Sequence, residues 1–359
     1  MTTITDAFSG VRQALNRGQL EDRIHASLAT AVIGDALGAP TEQRSIEEIR
    51  EMFGGRVEKF YAPPADSPYA KGRTAGQITD DSSQMMMLCE LYIAHAGILT
   101  ARNVADMLIE WSGKAEYYPH FAGPSTRAAI DALKAGEDPE LVGSQGRIAT
   151  QGASNGGAMR VAPAGLVHPG DPAAAVAAAA ITCRPSHFTS IGVAGAGAIA
   201  GAVAAALQEG ATLTDVVRAA LWSADEGERI GTTQGRHVAG PSVRRRIEIS
   251  VGLASTSPDL DTAVRRIADV VGSGLSAAEA VPAAIGILVA AAGDPWMTVV
   301  GCANVGDDTD TVACMAGSIA GALNGFARVP QDRYQEVLAA NSLDLADLAR
   351  RLAAVAHMP

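Results

Sequence analysis

Aromatic side chains are scarce in this 359-residue chain, at 4%, and charged ones reach only 19%. A sheet-based core filled by rings is therefore disfavoured, whereas abundant Ala and Gly suit helices that approach one another closely. No long basic run occurs and the net charge is −11, which argues against nucleic acid or an anionic membrane surface as the main partner. An anionic small ligand stays compatible, because a bound cation reverses the sign of a site. Cys89, Cys183, Cys302 and Cys314 form no CxxC pair and sit in apolar surroundings. That pattern excludes a disulfide frame or a zinc site and fits buried thiols in a reducing compartment. Met1 to Leu20 lacks the apolar core of a signal peptide, so the cytoplasm is the expected location.

Alternation typical of strands is missing over any useful length, and the fold class expected is all-α. No shift in composition marks a boundary, so residues 1–359 are read as a single domain, with a core over roughly 21–325 and C-terminal helices over 331–356. Phe188 to Leu207 runs twenty residues without a charge, which is long enough for a membrane span. It lacks flanking Lys/Arg asymmetry and an aromatic belt, and is read as a buried helix.

Periodicity predicts helices over 21–37, 45–52, 103–112, 125–135, 172–183, 188–207, 213–224, 260–271, 276–292, 312–324, 331–340 and 343–356. A further one begins at Met85. Ser45-x-x-Glu48 reads as a capping box. The polar stretch 225–246, with Arg244-Arg245-Arg246, is expected to be a solvated connection or a helix start. Gly54 to Gly76 carries no pattern, and a loop of that length tends to be functional or mobile.

What stands out is Val305-Gly306-Asp307-Asp308-Thr309-Asp310-Thr311, at the mouth of the apolar helix beginning at Val312. Burying so much negative charge is costly unless something positive meets it. Asp and Thr are good caps, so the stretch is either an elaborate helix cap or a cation site. Thr79-Asp80-Asp81-Ser82, at the mouth of the helix containing Met85, repeats the theme. Neighbours and i,i+2 residues cannot share a face of a regular helix. These carboxylates can converge only where the chain is still turning into it, beside free N–H groups. Oxygen ligands without His or Cys point to Mg²⁺, Mn²⁺ or Ca²⁺. Asp80, Asp81, Asp308 and Asp310 carry about four charges, matching the familiar pair of divalent ions ~3.5–4 Å apart.

Gly34-Asp35-Ala36-Leu37-Gly38 with Glu42, Thr79-Asp80-Asp81-Ser82, Asn155-Gly156-Gly157-Ala158-Met159-Arg160 with Ala162-Pro163, and Gly306-Asp307-Asp308-Thr309-Asp310-Thr311 occur in this order. Together, over roughly residues 24 to 325, they resemble the ADP-ribosylglycohydrolase family, which includes the enzymes that remove ADP-ribose from modified dinitrogenase reductase. The resemblance implies a compact orthogonal helical bundle with a central binuclear site for two Mg²⁺ ions, with Mn²⁺ as the substitute. It implies Thr79, Asp80, Asp81, Asp308, Asp310 and Thr311 as metal ligands and Glu42, Asp80 and Asp310 as catalytic groups. Glu42 is read as the proton acceptor or as a gate on the ligand. The loop with Gly152, Ser154, Asn155, Gly156 and Gly157 is implied to cradle phosphates or ribose, and glycines do leave N–H groups open to anions. His187 matches a ligand-contacting position, or is a helix-start histidine bonded to backbone. Two departures are visible. Asp307 stands where the family motif has a second Gly, and Ser82 stands where it has Thr.

The expected activity is metal-dependent hydrolysis of a ribosyl glycosidic bond, removing ADP-ribose from a modified protein or small molecule. The rivals are a hydrolase of a small nucleoside-like N-riboside and a non-catalytic ADP-ribose-binding member. Partners are then an ADP-ribosyl or ribosyl substrate, including an ADP-ribosylated protein, and neither nucleic acid nor membrane. Gly195-Ala196-Gly197-Ala198-Ile199-Ala200 fits GxGxxA but has helical flanks, against a dinucleotide site. Ser154, His187 and Asp171 lack a nucleophile elbow. Asp35 is read as a support for the ligands or as a helix–helix hydrogen-bond partner. Arg160 is read as an ion-pair partner of a buried carboxylate or as a phosphate contact.

Overall fold

The computed structural model describes residues 14–357; the first part of the polar N-terminal stretch, positions 1–13, lies outside the described residues. The chain opens with α1 (Arg17–Gly38), α2 (Ile46–Phe53), α3 (Asp80–Ala94) and α4 (Ala101–Trp111). Shorter pieces follow as α5 (Tyr118–Phe121), α6 (Pro124–Lys134), α7 (Pro139–Val142), α8 (Gly156–Met159) and α9 (Ala162–Leu166). The apolar half comprises α10 (Pro172–Cys183), α11 (Ser190–Ala206), α12 (Leu213–Gln234), α13 (Val243–Ser255), α14 (Leu260–Val270), α15 (Ala277–Ala290), α16 (Pro295–Ala303) and α17 (Thr309–Asn324). A 3-10 turn, Phe326–Arg328, leads to α18 (Gln331–Asn341) and α19 (Leu345–Val355). Among the described residues only isolated bridges interrupt this all-α pattern.

Local chemistry accounts for most boundaries. Ser45 and Glu48 exchange the two bonds of a capping box at 3.2 and 2.7 Å, as the sequence predicts. The stretch 225–246 divides: Arg244-Arg245-Arg246 lie at a helix start, as one expectation had it, because α13 begins at Val243, whereas the first half is no connection, because α12 continues to Gln234. Ala224, Gly227, Ile230 and Gly231 keep a buried face turned inward there, while Arg244 pairs with Asp225 and Glu248 on the outside. Helix α16 has no strong period, but Asp294 caps it at the Met297 N–H, 2.9 Å away, and Pro295 supplies the first turn. Asp-Pro at a helix start is a legible signal that periodicity alone misses.

Two crossings build the centre. Helices α11 and α12 pack together, and α11 is buried along its whole length; both flanks of its GxGxxA run are helical, so a dinucleotide turn has no strand to rest on. Among the described residues no helix is long and apolar enough to cross a membrane. The second crossing pairs α1 with α17. A methyl on Gly317 would lie 2.6 Å from the Thr30 carbonyl oxygen, and one on Gly321 would overlap that of Ala26. At the other end, a methyl on Gly38 would stand 2.5 Å from Asp310 Cα. The backbones therefore touch, and the end of α1 fixes where α17 begins.

Candidate active site

Capping does not explain the two acidic mouths. Elsewhere side chains accept a first-turn N–H, as Thr100, Thr212, Asp259 and Asp294 do. Thr79 at α3 and Asp308 at α17 make no such bond. Helix α3 is instead capped from another helix. Asp35, fully buried in α1, accepts from the Thr79 N–H at 3.0 Å, the Thr79 hydroxyl at 2.8 Å and the Ser82 N–H at 3.0 Å. Both roles weighed for Asp35 are thus one role: it joins two helices, and doing so leaves Asp80 and Asp81 free of capping.

Glu42, Asp308 and Asp310 each offer a carboxylate oxygen within 4.8 Å of the others, and all three are buried. Glu42 follows the turn that ends α1, where the Thr41 hydroxyl donates to the Gly38 carbonyl at 2.8 Å and meets the Thr309 hydroxyl at 3.0 Å. Asp80 and Asp81 belong to the same electrostatic cluster from the α3 side. Burial, and then the mutual repulsion of Asp35, Asp80, Asp81, Asp308 and Asp310, holds Glu42, Asp80, Asp81 and Asp310 well above the usual carboxylate range. Asp308 and Asp35 are raised too, chiefly by burial, with hydrogen bonds acting in opposition. Thr311 is buried in the first turn of α17. Glu42 Oε2 and Asp81 Oδ1 are buried without a hydrogen-bond donor, an arrangement that native interiors avoid unless something fills the gap. A buried set of hard, unsatisfied oxygens can hold divalent cations.

Neighbouring polar groups orient the cluster. The Asn155 amide donates to Asp308 Oδ2 at 2.6 Å. Arg160, fully buried, donates to Gln84 Oε1 at 3.0 Å, and Gln84 donates a long 3.4 Å bond to Asp80 Oδ2. Arg160 thus reaches a carboxylate at one remove, through Gln84, rather than by a direct ion pair. Gly152 has φ +74 and its N–H donates to Ser125 Oγ at 3.0 Å. Gly156 and Gly157 open the one-turn α8, packed so closely that methyls there would meet His187 Nε2 at 2.9 Å and Cys183 Sγ at 3.0 Å. Ser154 Oγ lies 2.9 Å from His187 Nε2. Asp171 caps α10 at Ala174 instead of joining them, so no triad forms.

The family model for ADP-ribosylglycohydrolase matches residues 16–359. This chain belongs to the ADP-ribosylglycohydrolase family. It is 28% identical to the protein YegU of Escherichia coli (strain K12) over 336 residues, covering 92% of this chain and 96% of that one. It is 25% identical to the human ADP-ribosylhydrolase ARH3 over 337 residues, covering 87% and 88% respectively. A solved structure described as an ADP-ribosylglycohydrolase-related protein complex superposes with a TM-score of 0.68 over 95% of this chain and 100% of that one, at 23% identity. That likeness establishes the ADP-ribosylglycohydrolase fold.

Within the family frame the departure at Asp307 has a backbone explanation. Its φ is +58, the left-handed region that glycine enters freely and that Asp tolerates better than most residues. Its N–H donates to the Arg44 carbonyl at 2.9 Å, and the Gln43 amide donates to its Oδ1 at 3.2 Å. The exposed Asp307 carboxylate is therefore held against Gln43 and adds to the field that raises Asp308. Two contributors escape the sequence reading. Gln84 had a signal, since it stands four residues after Asp80 on a helix. Tyr69 had none: the patternless loop brings its half-buried phenol to the site, where burial, and then the fields of Glu42, Asp308, Asp307 and Asp310, raise its pKa.

Proposed function

We propose that this protein is a metal-dependent glycosidase that removes ADP-ribose from a modified protein or small molecule. The convergence of Glu42, Asp308 and Asp310 within 4.8 Å, with buried oxygens left unsatisfied, carries this reading. Thr79, Asp80, Asp81, Asp308, Asp310 and Thr311 would hold two divalent cations, Mg²⁺ or Mn²⁺. Bound there, the ions would neutralise the carboxylates and lower the pKa of water. Glu42 is the proton acceptor in this reading. It is buried beside Asp308 and Asp310, so its carboxylate would lie next to the ions and the water they hold, where a general base must stand. Water then attacks the anomeric carbon through an oxocarbenium-like transition state, and the leaving group departs with the bonding pair. Asp35, Asn155 and Gln84 keep the carboxylates aimed, while the loop from Gly152 to Gly157 and His187 hold the ribosyl ligand. The same reading takes the chain as one domain and, from its four buried thiols, as a protein of the reducing cytoplasm.

A second reading rests on Asp307. An exposed carboxylate at the mouth disfavours a pyrophosphate, so a small N-riboside is the alternative substrate. Hydrolysis of ADP-ribosyl-arginine, ADP-ribosyl-serine and simple N-ribosides, each with Mg²⁺, Mn²⁺ or EDTA, separates the two. Turnover of an ADP-ribosyl conjugate that EDTA abolishes is expected. Turnover of N-ribosides alone selects the second reading, and activity undiminished by EDTA overturns both.

A further inference from the structure

Beside the acidic cluster runs a chain of side chains whose hydrogen-bond polarity the proposed reaction leaves unassigned. Arg160 Nη2 donates to Ser186 Oγ at 2.6 Å, Ser186 Oγ lies 2.9 Å from His187 Nδ1, and His187 Nε2 lies 2.9 Å from Ser154 Oγ. From the same guanidinium, Nη1 leads through Gln84 to Asp80. Arginine has donors and no acceptor, so it sets a direction at the root of both branches. We propose that Arg160 is a positioning residue that fixes the polarity of these two chains, so that Ser154 offers its hydroxyl proton to an acceptor oxygen, phosphate or ribose, of the bound ligand. The ligand's identity rests on the ribosyl reading above; the polarity of the chain does not.

The polarity follows from proton bookkeeping. Ser186 Oγ receives the Arg160 hydrogen, and its own proton needs an acceptor because the side chain is buried, at 4% exposure. Among the described residues the one at hand is His187 Nδ1. Were Nδ1 to carry the hydrogen, the Ser186 proton would be buried unsatisfied, which interiors avoid. His187 is wholly buried, and burial followed by the Arg160 charge pushes its pKa down to about 3. The ring is therefore neutral, with one hydrogen, on Nε2. Nε2–H donates to Ser154 Oγ. The Ser154 proton then has no acceptor among the described residues, and the side chain is only half-buried. It is free to point at a ligand. Gly156 keeps the register, since a methyl there would lie 2.9 Å from Nε2. On the other branch, the Gln84 oxygen faces Arg160, so its NH₂ faces Asp80.

The test is the imidazole tautomer in the ligand-free full-length protein, read from ¹⁵N–¹H long-range correlations at neutral pH, with His187 assigned by its loss in His187→Gln. A neutral ring protonated at Nε2 is expected. Ser186→Ala should mix the tautomers, and Ser186→Thr should restore the wild-type pattern. Calorimetry with ADP-ribose and with ribose then reads the ligand arm. Ser154→Ala should lose about tenfold in affinity, the worth of one hydrogen bond to a charged acceptor. Loss confined to ADP-ribose assigns a phosphate oxygen; equal loss on both ligands assigns ribose. A ring protonated at Nδ1 in the wild type, or Ser154→Ala binding both ligands unchanged, overturns the proposal. Since the tautomer is measured without ligand or turnover, failure of the ribosyl reading is seen separately, as absence of binding by the wild type.

Discussion

Six buried carboxylates, Asp35, Glu42, Asp80, Asp81, Asp308 and Asp310, all titrate above their ordinary values, and the sign of that shift has consequences. A carboxyl raised in the native state stabilises the fold below its unfolded pKa and loses that contribution as pH rises through the raised value. Metal-free protein is thus penalised on the alkaline side, where the cluster must ionise against its own repulsion. A cation binding there must first displace protons, so its affinity falls as pH falls. The increment in Tm from Mg²⁺ or Mn²⁺ over EDTA should therefore be larger near about pH 8 than near about pH 6. Reading the increment cancels the opposing histidines; His187, whose native pKa is lowered, withdraws stability as pH falls through the ordinary imidazole value. An increment independent of pH would contradict the raised values. Individual supports are testable in the same way. Asn155→Ala removes the 2.6 Å bond to Asp308 and should weaken Mn²⁺ binding by about 10–100-fold, the usual effect of losing a group that orients a ligand. Replacing Asp308 or Asp310 with Ala should abolish metal-dependent turnover, and full turnover of either variant in chelator would refute the mechanism.

At the scale of the helices, the site depends on a backbone contact more than on any side chain. Asp310 sits where it does because Gly38 lets the end of α1 touch the first turn of α17. Gly38→Ala should cost about 1–3 kcal/mol as overpacking and weaken metal binding as well, because the added methyl pushes on Asp310. Gly321→Ala overpacks the same crossing against Ala26 but lies far along α17, so it should lower Tm while leaving Mn²⁺ affinity unchanged. Equal loss of metal binding in both variants would show that the crossing acts only through stability. The contrast also explains what was legible in advance. Most of the long helices, the Ser45 box and the paired acidic mouths follow from local pattern, and the all-α fold with them, although α16 does not. The continuation of α12 was not legible, because beyond Ala224 its buried face is Gly227, Ile230 and Gly231, and one isoleucine between two glycines does not advertise a period. Nor could spacing reveal that Asp35 caps α3 or that Asn155 turns to Asp308, since those bonds span 44 and 153 residues of sequence.

Considered whole, the acidic site is a junction rather than a pocket on one element. Its groups come from α1 and the turn after it, from the mouth of α3, from the loop before α8 and from the mouth of α17. Each of these groups enters from a different part of the sequence, and the carboxylates Glu42, Asp80, Asp81, Asp308 and Asp310 are all buried. Ions bound there would tie early and late segments together only in the native state, and binding that excludes the unfolded chain stabilises by mass action. At a hundred times Kd each site contributes about 2.7 kcal/mol, so the urea midpoint should rise with Mg²⁺ or Mn²⁺ while the slope m, which follows the surface exposed, stays constant. Intrinsic fluorescence can follow this at two depths, because Trp111 is fully buried whereas Trp222 and Trp296 are half-buried. If the chain is one cooperative domain, all probes and far-ultraviolet circular dichroism should shift together by the same amount. Two transitions, only one of them metal-sensitive, would instead divide the molecule between the helices that hold the carboxylates and those that do not.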